Sequence, residues 1–274
     1  VVHTTEIITM EDDPSTATRR KKDSSMAVAL TMLRDGLGDA VVSAGSTGAL
    51  LTGATLIVKR IHGIRRAAMA PVLPAGEHGV MLIDCGANVE CTSEYLLQFA
   101  YMGSFYFKRM FGVEKPRVGL LNVGTEDTKG GELQKEAYEM LKQAPINFVG
   151  NVESREIPKG DTDVIVTDGF TGNIALKLIE GVSLTMFSMI KNVLYSSLKN
   201  KIAALMIKKG LLSIKAKSDY TEVGGAPLLG TRAPVFKAHG SSNGKAIKNA
   251  IGKAMAFADT GVIEKISGSL IENK

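Results

Sequence analysis

Short clusters of Gly, Ser, Thr, Asn and Asp follow several apolar runs, and their residue types suit the binding of an anion. Ser43-Ala-Gly-Ser-Thr-Gly48 and Asp168-Gly-Phe-Thr-Gly-Asn173 both lead into stretches with helical spacing. Small residues let backbone N–H groups approach an anion, and the helix dipole favours negative charge there. The first cluster has neither the pattern of a P-loop nor that of a dinucleotide site. The first predicts an anion cradle, made of Gly45, Ser46, Thr47 and Gly48.

Two side chains in or near these clusters have the chemistry to stabilise charge that develops during a reaction. Asn173 donates two hydrogen bonds without carrying a charge, which suits it to hold an oxyanion. Lys129 would neutralise a phosphate or an oxyanion; the alternative is a solvated lysine in a loop. Glu126 fits either a general base or the salt partner of a lysine. Lys129 and Asn173 are therefore candidate catalytic residues, with the alternative for Lys129 still open at this point.

Further polar side chains follow the predicted strands and complete a candidate substrate-binding set. Its members are Asn88, Asn122, Glu126, Asp168, Thr171 and His239. Residues of these types also make turns and helix N-caps, and His239 fits a structural role as well as acid–base chemistry. Because the clusters fall on one predicted edge of a sheet, an active-site rim is the better interpretation.

Several common kinds of catalytic site have no counterpart in the sequence. There is no Gly-x-Ser-x-Gly elbow and no recognisable Cys–His pair, and Cys85 and Cys91 fit no zinc pattern. We therefore predict neither a metal nor a cofactor. The chemistry would depend on positioning and electrostatics, with a substrate that supplies its own nucleophile.

Length and composition are those of an ordinary globular protein. The 274 residues are 45% apolar and 22% charged, which excludes a disordered chain or a disulfide scaffold. No apolar run approaches the roughly 20 residues of a membrane-spanning helix, and we find no signal peptide. Two cysteines make no disulfide framework, so we expect a reducing cytoplasm. The sequence begins Val-Val, from which we expect that an N-terminal piece is missing.

Alternating apolar runs and helical stretches must position these clusters. Continuous apolar runs are typical of strands buried on both faces of a parallel sheet. Six such runs span 39–45, 79–86, 117–124, 146–150, 163–169 and 234–240. Helical spacing occupies 24–34, 47–61, 94–111, 132–143, 172–190 and 243–259. The alternation predicts a doubly wound α/β sheet in a single domain over residues 1–274, with ligands bound beyond the carboxyl ends of the strands.

Segment 181–218 differs in kind from the rest of the chain. It contains no Asp or Glu and seven lysines, interleaved with aliphatic residues, so the net charge of +5 is largely local. A basic amphipathic helix or helical hairpin is typical of a membrane-surface or partner-binding element. The alternative is an ordinary helix whose apolar face packs on the core. Nucleic acid is not an expected partner, because no binding motif is present.

At these motifs the sequence resembles the bacterial phosphate acyltransferase (PlsX) family. The matching stretches are Ser-Ala-Gly-Ser-Thr-Gly-Ala-Leu (43–50), Gly-Leu-Leu-Asn-Val-Gly-Thr-Glu-Asp (119–127), Gly-Asn-Val-Glu-Ser-Arg (150–155), Thr-Asp-Gly-Phe-Thr-Gly-Asn (167–173) and Lys-Ala-His-Gly-Ser-Ser (237–242). The likeness runs from Thr18 to Ala256. A further strand and an Asp-Ala-Met-Gly-Gly-Asp-like loop, expected at the start of the family, are not in this sequence, which supports truncation.

The resemblance implies a reaction and a fold. Acyl-acyl carrier protein and orthophosphate would give acyl phosphate and free carrier protein, and a downstream glycerol-3-phosphate acyltransferase would use the acyl phosphate in phospholipid synthesis. The implied fold is a three-layer α/β/α Rossmann-like sandwich with a mostly parallel sheet, similar to phosphotransacetylases and isocitrate dehydrogenases, in a homodimer. Since phosphate is the nucleophile, Lys129 would orient it while Asn173 holds the thioester oxyanion.

The resemblance also implies a cytoplasmic enzyme that associates peripherally with the membrane. The basic segment then has two candidate partners, because acyl carrier protein is acidic and many lipid headgroups are anionic. The contact residues that we predict are Lys201, Leu205, Met206, Ile207, Lys208 and Lys209. Two other functions stay open: a phosphate acetyl- or butyryltransferase that uses coenzyme A, and a non-catalytic scaffold at the membrane surface.

Overall fold

The computed structural model describes residues 1–211 and 224–263. Its strands are β1 (Val41–Ser43), β2 (Ala68–Met69), β3 (Val72–Leu73), β4 (Val80–Ile83), β5 (Arg117–Asn122), β6 (Asn147–Glu153), β7 (Val164–Val166), β8 (Ala226–Leu229) and β9 (Val235–Lys237). Its helices are α1 (Ala17–Arg20), α2 (Ser25–Arg34), α3 (Thr47–Gly53), α4 (Ser93–Phe111), α5 (Glu132–Gln143), α6 (Gly169–Tyr195), α7 (Leu198–Met206) and α8 (Gly244–Asp259). A π-helical turn, Ala54–Val58, continues α3, and a 3₁₀ helix, Ser154–Lys159, follows β6.

The larger sheet has the strand order β3-β4-β7-β5-β6, and its last four strands are parallel. Every residue of β4 and β7 is buried, as the continuous apolar runs predict. Helix α4 packs on this sheet and contributes Phe99, Met102 and Phe107 to the main core. It approaches the sheet closely at Gly103, where a Cβ would stand 2.6 Å from Val164 Cγ1.

The smaller sheet has the strand order β1-β9-β8-β2, with β1 and β9 parallel and the other pairs antiparallel. Residues 68–73 pass directly from the smaller sheet to the larger one. β2 pairs with β8, β3 pairs with β4, and the oxygen of Pro71, which lies between β2 and β3, accepts from Leu82 N–H at 3.0 Å. The core also crosses between the sheets, because Phe257 of α8 contacts both Tyr106 of α4 and Phe236 of β9.

The six predicted strands and six predicted helices are all present, which confirms the α/β fold class. The single predicted sheet is instead two sheets, and β2, β3 and β8 were not predicted. These three strands are only two to four residues long, and Pro71 and Pro227 interrupt the surrounding runs. A short run broken by proline carries a weak strand signal in the sequence.

The second half of α6 and all of α7 project from the body of the molecule. Gly169, Gly172 and Leu176 are the buried residues of α6, all in its first turns, and α7 has none. Within the described residues, α6 is the one helix long and apolar enough, by length and composition alone, to cross a membrane. The expectation that no apolar stretch approaches that length is therefore wrong by this criterion, because the mean hydropathy of α6 is high enough although Lys177 and Glu180 lie within the helix.

Candidate active site

A pocket of about 420 Å³ opens where the two sheets meet. Its wall includes Cys85 and Gly86 after β4, residues of α6, and Lys237 at the end of β9. Four of the predicted site residues line it together: Thr47, Gly48, Asn173 and His239. The rule that ligands bind beyond the carboxyl ends of parallel strands thus leads to this pocket.

Asn173 reaches the pocket because α6 begins in close contact with the loop after β4. Two glycines make that contact possible: a Cβ at Gly172 would stand 2.0 Å from the Asp84 oxygen, and one at Gly169 2.5 Å from the Asn88 oxygen. The Asn173 side chain then lies over Gly86, whose Cβ would stand 3.5 Å from Asn173 Cγ. The close packing of Gly169 and Gly172 therefore places Asn173 on the pocket wall.

Asp84 is the buried centre of this arrangement, and its side chain is fully inaccessible to solvent. Its carboxylate accepts hydrogen bonds from the backbone N–H groups of Met69, Ala87 and Asn88, at 2.9, 3.2 and 2.6 Å. Burial raises the pKa of Asp84 to about 6, although these hydrogen bonds oppose the rise. This geometry gives Asp84 a structural role, since its carboxylate ties β2, β4 and the following loop together.

The side chains of three predicted binding residues, Asn88, Asp168 and Thr171, form hydrogen bonds within the fold. Asn88 Nδ2 donates to the Ala67 oxygen at 2.8 Å and to Asp84 Oδ2 at 2.9 Å. Asp168 is the N-cap of α6 and accepts from Thr171 N–H and Thr171 Oγ1, both at 2.8 Å. Within the described chain these residues are not among those that line the pocket. Their assignment to substrate stays a prediction.

The loop that carries Lys129 is anchored at both ends to the sheet. Asn122 Nδ2 donates to the Lys129 oxygen at 3.0 Å, and Asn151 Nδ2 donates to the Glu126 oxygen at 2.7 Å. The Lys129 side chain is half exposed, and its Nζ lies 3.9 Å from Glu126 Oε1. Neither Lys129 nor Glu126 belongs to the described pocket wall. The loop follows β5 and α6 follows β7, and because these two strands are parallel neighbours, Lys129 and Asn173 lie at the same edge of the sheet.

The predicted anion cradle is divided between the pocket and the core. Thr47 and Gly48 line the pocket. Ser46 is buried and caps α3 by accepting a hydrogen bond from Ala49 N–H at 3.4 Å. Gly45 packs against Met26, whose Cε would stand 2.8 Å from an added Cβ.

His239 and Ser241 are neighbours on the pocket wall. Ser241 N–H donates to His239 Nδ1 at 3.2 Å, and Ser241 Oγ lies 2.7 Å from the same nitrogen. A ring nitrogen that accepts from a backbone N–H carries no proton, which places the proton of a neutral His239 on Nε2.

Three charged pocket residues were missing from the sequence-based set: Lys177, Glu180 and Lys237. Lys177 Nζ pairs with Glu180 Oε2 at 2.8 Å. Burial lowers the pKa of Lys237, and the positive charge of Lys177 lowers it further. A signal for Lys177 is present in the sequence, because it follows Asn173 by four residues and so shares its helix face.

The chain matches the family described as "Fatty acid synthesis protein" over residues 1–265. The chain belongs to this family. A relative named phosphate acyltransferase, from Clostridium acetobutylicum, is 50% identical over 272 residues, which cover 99% of this chain and 82% of the relative. Another of that name, from Alkaliphilus oremlandii, is 52% identical over 267 residues, with 97% and 80% covered. The resemblance to phosphate acyltransferases is thereby confirmed, and the protein is an acyltransferase.

Solved structures of low sequence identity share a related fold. EutD phosphotransacetylase from Staphylococcus aureus has a TM-score of 0.56 at 19% identity, covering 92% of this chain and 71% of that one. A branched-chain phosphotransacylase from Enterococcus faecalis V583 also has a TM-score of 0.56, at 17% identity, covering 86% and 80%. The family fold is therefore of the phosphotransacetylase type, as expected.

Proposed function

We propose that the protein transfers a fatty acyl group from acyl-acyl carrier protein to inorganic phosphate and releases acyl phosphate for phospholipid synthesis. One observation carries the proposal: Asn173 shares its pocket both with cationic side chains and with apolar ones. Membership of a family whose relatives are named phosphate acyltransferase supports the choice of phosphate as acceptor.

The reaction needs no nucleophile from the protein. A phosphate oxygen attacks the thioester carbonyl, the C–O bond forms, and the C–S bond breaks. The proton of hydrogen phosphate ends on the departing thiolate, so the products are acyl phosphate and a free thiol. The enzyme must hold phosphate against the carbonyl and stabilise the oxyanion that forms between the two steps. Asn173 is placed to donate to that oxyanion.

An acyl chain has an apolar wall to contact in the same pocket. Met69, Val72, Leu73 and Leu176 line it. Leu73 and Leu176 also belong to the buried cluster beneath the wall, so the wall is backed by well-packed side chains. Burial of aliphatic surface contributes about 25 cal/mol per Å², which favours a substrate with a hydrocarbon tail.

The projecting helices supply the argument for a carrier-protein donor. Residues 181–211 carry lysines and no acidic side chain, a charge pattern that favours binding to an acidic protein or an anionic surface. Lys215 and Lys217 lie outside the described residues. A small soluble thiol such as coenzyme A would not require such a projection. The phosphotransacetylase-like fold keeps a phosphate acetyl- or butyryltransferase as the second candidate.

We also propose that the enzyme is a cytoplasmic homodimer that binds the membrane surface peripherally. Leu205, Met206 and Ile207 are exposed, as are Lys201, Lys208 and Lys209, which is the composition of an interfacial helix. The pocket residues Asn173, Lys177 and Glu180 lie on α6, so this helix serves the active site rather than crossing the bilayer. Membrane binding would bring acyl phosphate to a glycerol-3-phosphate acyltransferase.

The donor is tested by presenting two thioesters with the same acyl chain. The protein is incubated with phosphate and either palmitoyl-acyl carrier protein or palmitoyl-coenzyme A, and acyl phosphate is trapped by hydroxylamine as a hydroxamate. We expect phosphate-dependent hydroxamate with the carrier protein and little with coenzyme A. Product from a short acyl-coenzyme A alone would favour a phosphate acetyl- or butyryltransferase. No product from any thioester would favour a non-catalytic scaffold at the membrane surface.

A further inference from the structure

Two lysines on different elements face the pocket that holds Asn173. Lys177 lies on α6, four residues after Asn173, and Lys237 is the last residue of β9. Glu180 is the one carboxylate on this wall among the residues that the structure describes, and it pairs with Lys177 at 2.8 Å. The described wall therefore has two ammonium groups against one carboxylate.

Lys237 is the less solvated of the two cations. It is half-buried, and its Nζ donates to the neighbouring Ala238 oxygen, which is a neutral acceptor. No ion pair of Lys237 is present within residues 1–211 and 224–263. The pKa of Lys237 is lowered by burial and by the positive charge of Lys177. A cation that has lost part of its hydration is stabilised when an anion binds beside it.

Other polar groups of the wall can donate hydrogen bonds. Thr47 and Ser242 bring hydroxyls, and Asn173 brings an amide, while the Ser241 hydroxyl donates to His239 Nδ1. Phosphate oxygens accept hydrogen bonds, and they accept them most strongly from charged donors. The wall is thus matched to a small oxyanion close to the proposed oxyanion donor.

We propose that Lys177 and Lys237 hold the attacking phosphate in this pocket, and that Glu180 weakens its binding by competing for Lys177. The proposal rests on the proposed function, since it places the acceptor of that reaction. It assigns to different lysines two roles, binding of phosphate and neutralisation of charge, that the sequence predicts for Lys129. The two pocket lysines bind phosphate. Lys129, which lies outside the described wall, neutralises the charge that develops during transfer.

The first test compares the dependence of the rate on phosphate and on the acyl donor. Lys237→Met and Lys177→Met should each raise the phosphate concentration at half-maximal rate by about tenfold or more, the scale of a lost charge-assisted hydrogen bond. The KM for the acyl donor should change less than about twofold, because no lost contact to the thioester is involved. Lys135→Met, on exposed α5, removes the same charge away from the pocket and should change neither value.

The second test uses a variant that should strengthen phosphate binding. Glu180→Gln keeps the size of the side chain but removes the competing carboxylate, so phosphate should bind several-fold more tightly. A residue that only stabilises the fold would not improve binding when it is changed. Lys237→Arg, which keeps the charge, should retain phosphate binding and serves where Lys237→Met does not fold.

Calorimetric titration of inorganic phosphate without any acyl donor makes these tests independent of turnover. If the wild-type protein binds phosphate and Lys237→Met does not, the proposal stands even where no acyl phosphate is ever formed, and only the proposed function fails. The proposal is overturned if both lysine variants bind phosphate as the wild type does, or if Glu180→Gln binds it more weakly.

Discussion

Gly172 lies so close to Asp84 that a Cβ atom on the glycine would stand 2.0 Å from the Asp84 main-chain oxygen. The first turn of α6 is therefore pressed against the end of β4, one residue before Asn173. This contact fixes the position of the backbone that carries the Asn173 amide. The active-site geometry and the packing of α6 on the sheet are consequently one feature of the molecule.

Gly172→Ala should separate α6 from β4 and displace Asn173. The added methyl group would clash with the main chain of Asp84, which cannot move away as a flexible side chain could. We therefore expect the free energy of unfolding to fall by about 1–3 kcal/mol or more, together with a fall in kcat. Gly181→Ala is the matched control, because nothing lies within 4 Å of an added Cβ at Gly181 on the same helix. It should stabilise the protein by up to about 1 kcal/mol through helix propensity. Urea unfolding of both variants measures the contrast, and equal effects would contradict it.

Asn173→Ala should remove the oxyanion donor. We expect kcat to fall by about 10²–10³-fold, with little change in the KM for phosphate. Asn173→Asp is the sharper variant, because it preserves the shape of the side chain and replaces the donor with acceptors; it should be at least as impaired. Near-normal turnover in both variants would exclude this role for the amide.

Lys129→Ala tests the other half of the predicted catalytic pair. The half-exposed side chain has only a 3.9 Å pairing with Glu126, so little holds it away from a bound substrate. We expect kcat to fall by about 10²-fold or more through lost charge stabilisation, with the KM for phosphate moving less than in Lys237→Met. Steady-state kinetics in both substrates distinguishes the two lysines. A Lys129→Ala enzyme with wild-type kcat would mean that the loop lysine is simply solvated.

Asp84 should give stability a distinctive pH dependence. Its pKa rises from an ordinary 3.8 to about 6 in the folded protein, so folding favours the protonated form. Asp84 therefore contributes on the order of 3 kcal/mol to the free energy of unfolding below pH 4, and this contribution is lost as the pH rises through 6. In Asp84→Asn that contribution is absent.

The stability difference, wild type minus Asp84→Asn, should therefore shrink between pH 4 and pH 6. Urea unfolding of the two proteins at matched pH values measures it, and the titrations of other groups cancel in the difference. A difference that stays constant or grows with pH would show that Asp84 is charged throughout.

Leu205→Glu should weaken membrane binding. Leu205 is 70% exposed on the projecting helix α7, and losing its insertion would cost about 1.5–3 kcal/mol, or about tenfold or more in partitioning. Leu37 is a matched control at 71% exposure, before β1 and away from the projection. Sedimentation with anionic liposomes should distinguish Leu205→Glu from Leu37→Glu. Equal binding of both variants would contradict the membrane proposal.

Much of the fold follows from the sequence because its signals are local. Continuous apolar runs predict β4, β5 and β7, and the periodic stretch 132–143 coincides with α5. The division into two sheets was not predictable, since it depends on β2 and β3, which are two residues each and are separated by Ala70 and Pro71. Pairings this short are set by the surrounding tertiary structure.

The candidate site was predicted where residues closely follow the end of a predicted strand. Thr47, Asn173 and His239 do so, and the topological rule for parallel sheets finds them. Lys177 lies farther along α6 and Lys237 is the last residue of β9, so that rule does not single them out. Asn88 and Asp168 show the converse, because the same residue types that bind ligands also cap helices and tie loops.

The central claim is that phosphate itself attacks the thioester, and product stoichiometry tests it most directly. Free carrier-protein thiol and acyl phosphate are measured in the same reaction, by a thiol reagent and by ³¹P NMR, over a range of phosphate concentrations. The account predicts equal amounts of the two products, both dependent on phosphate and both lost in Asn173→Asp. Thiol released without acyl phosphate would mean that water is the acceptor, and would contradict the account.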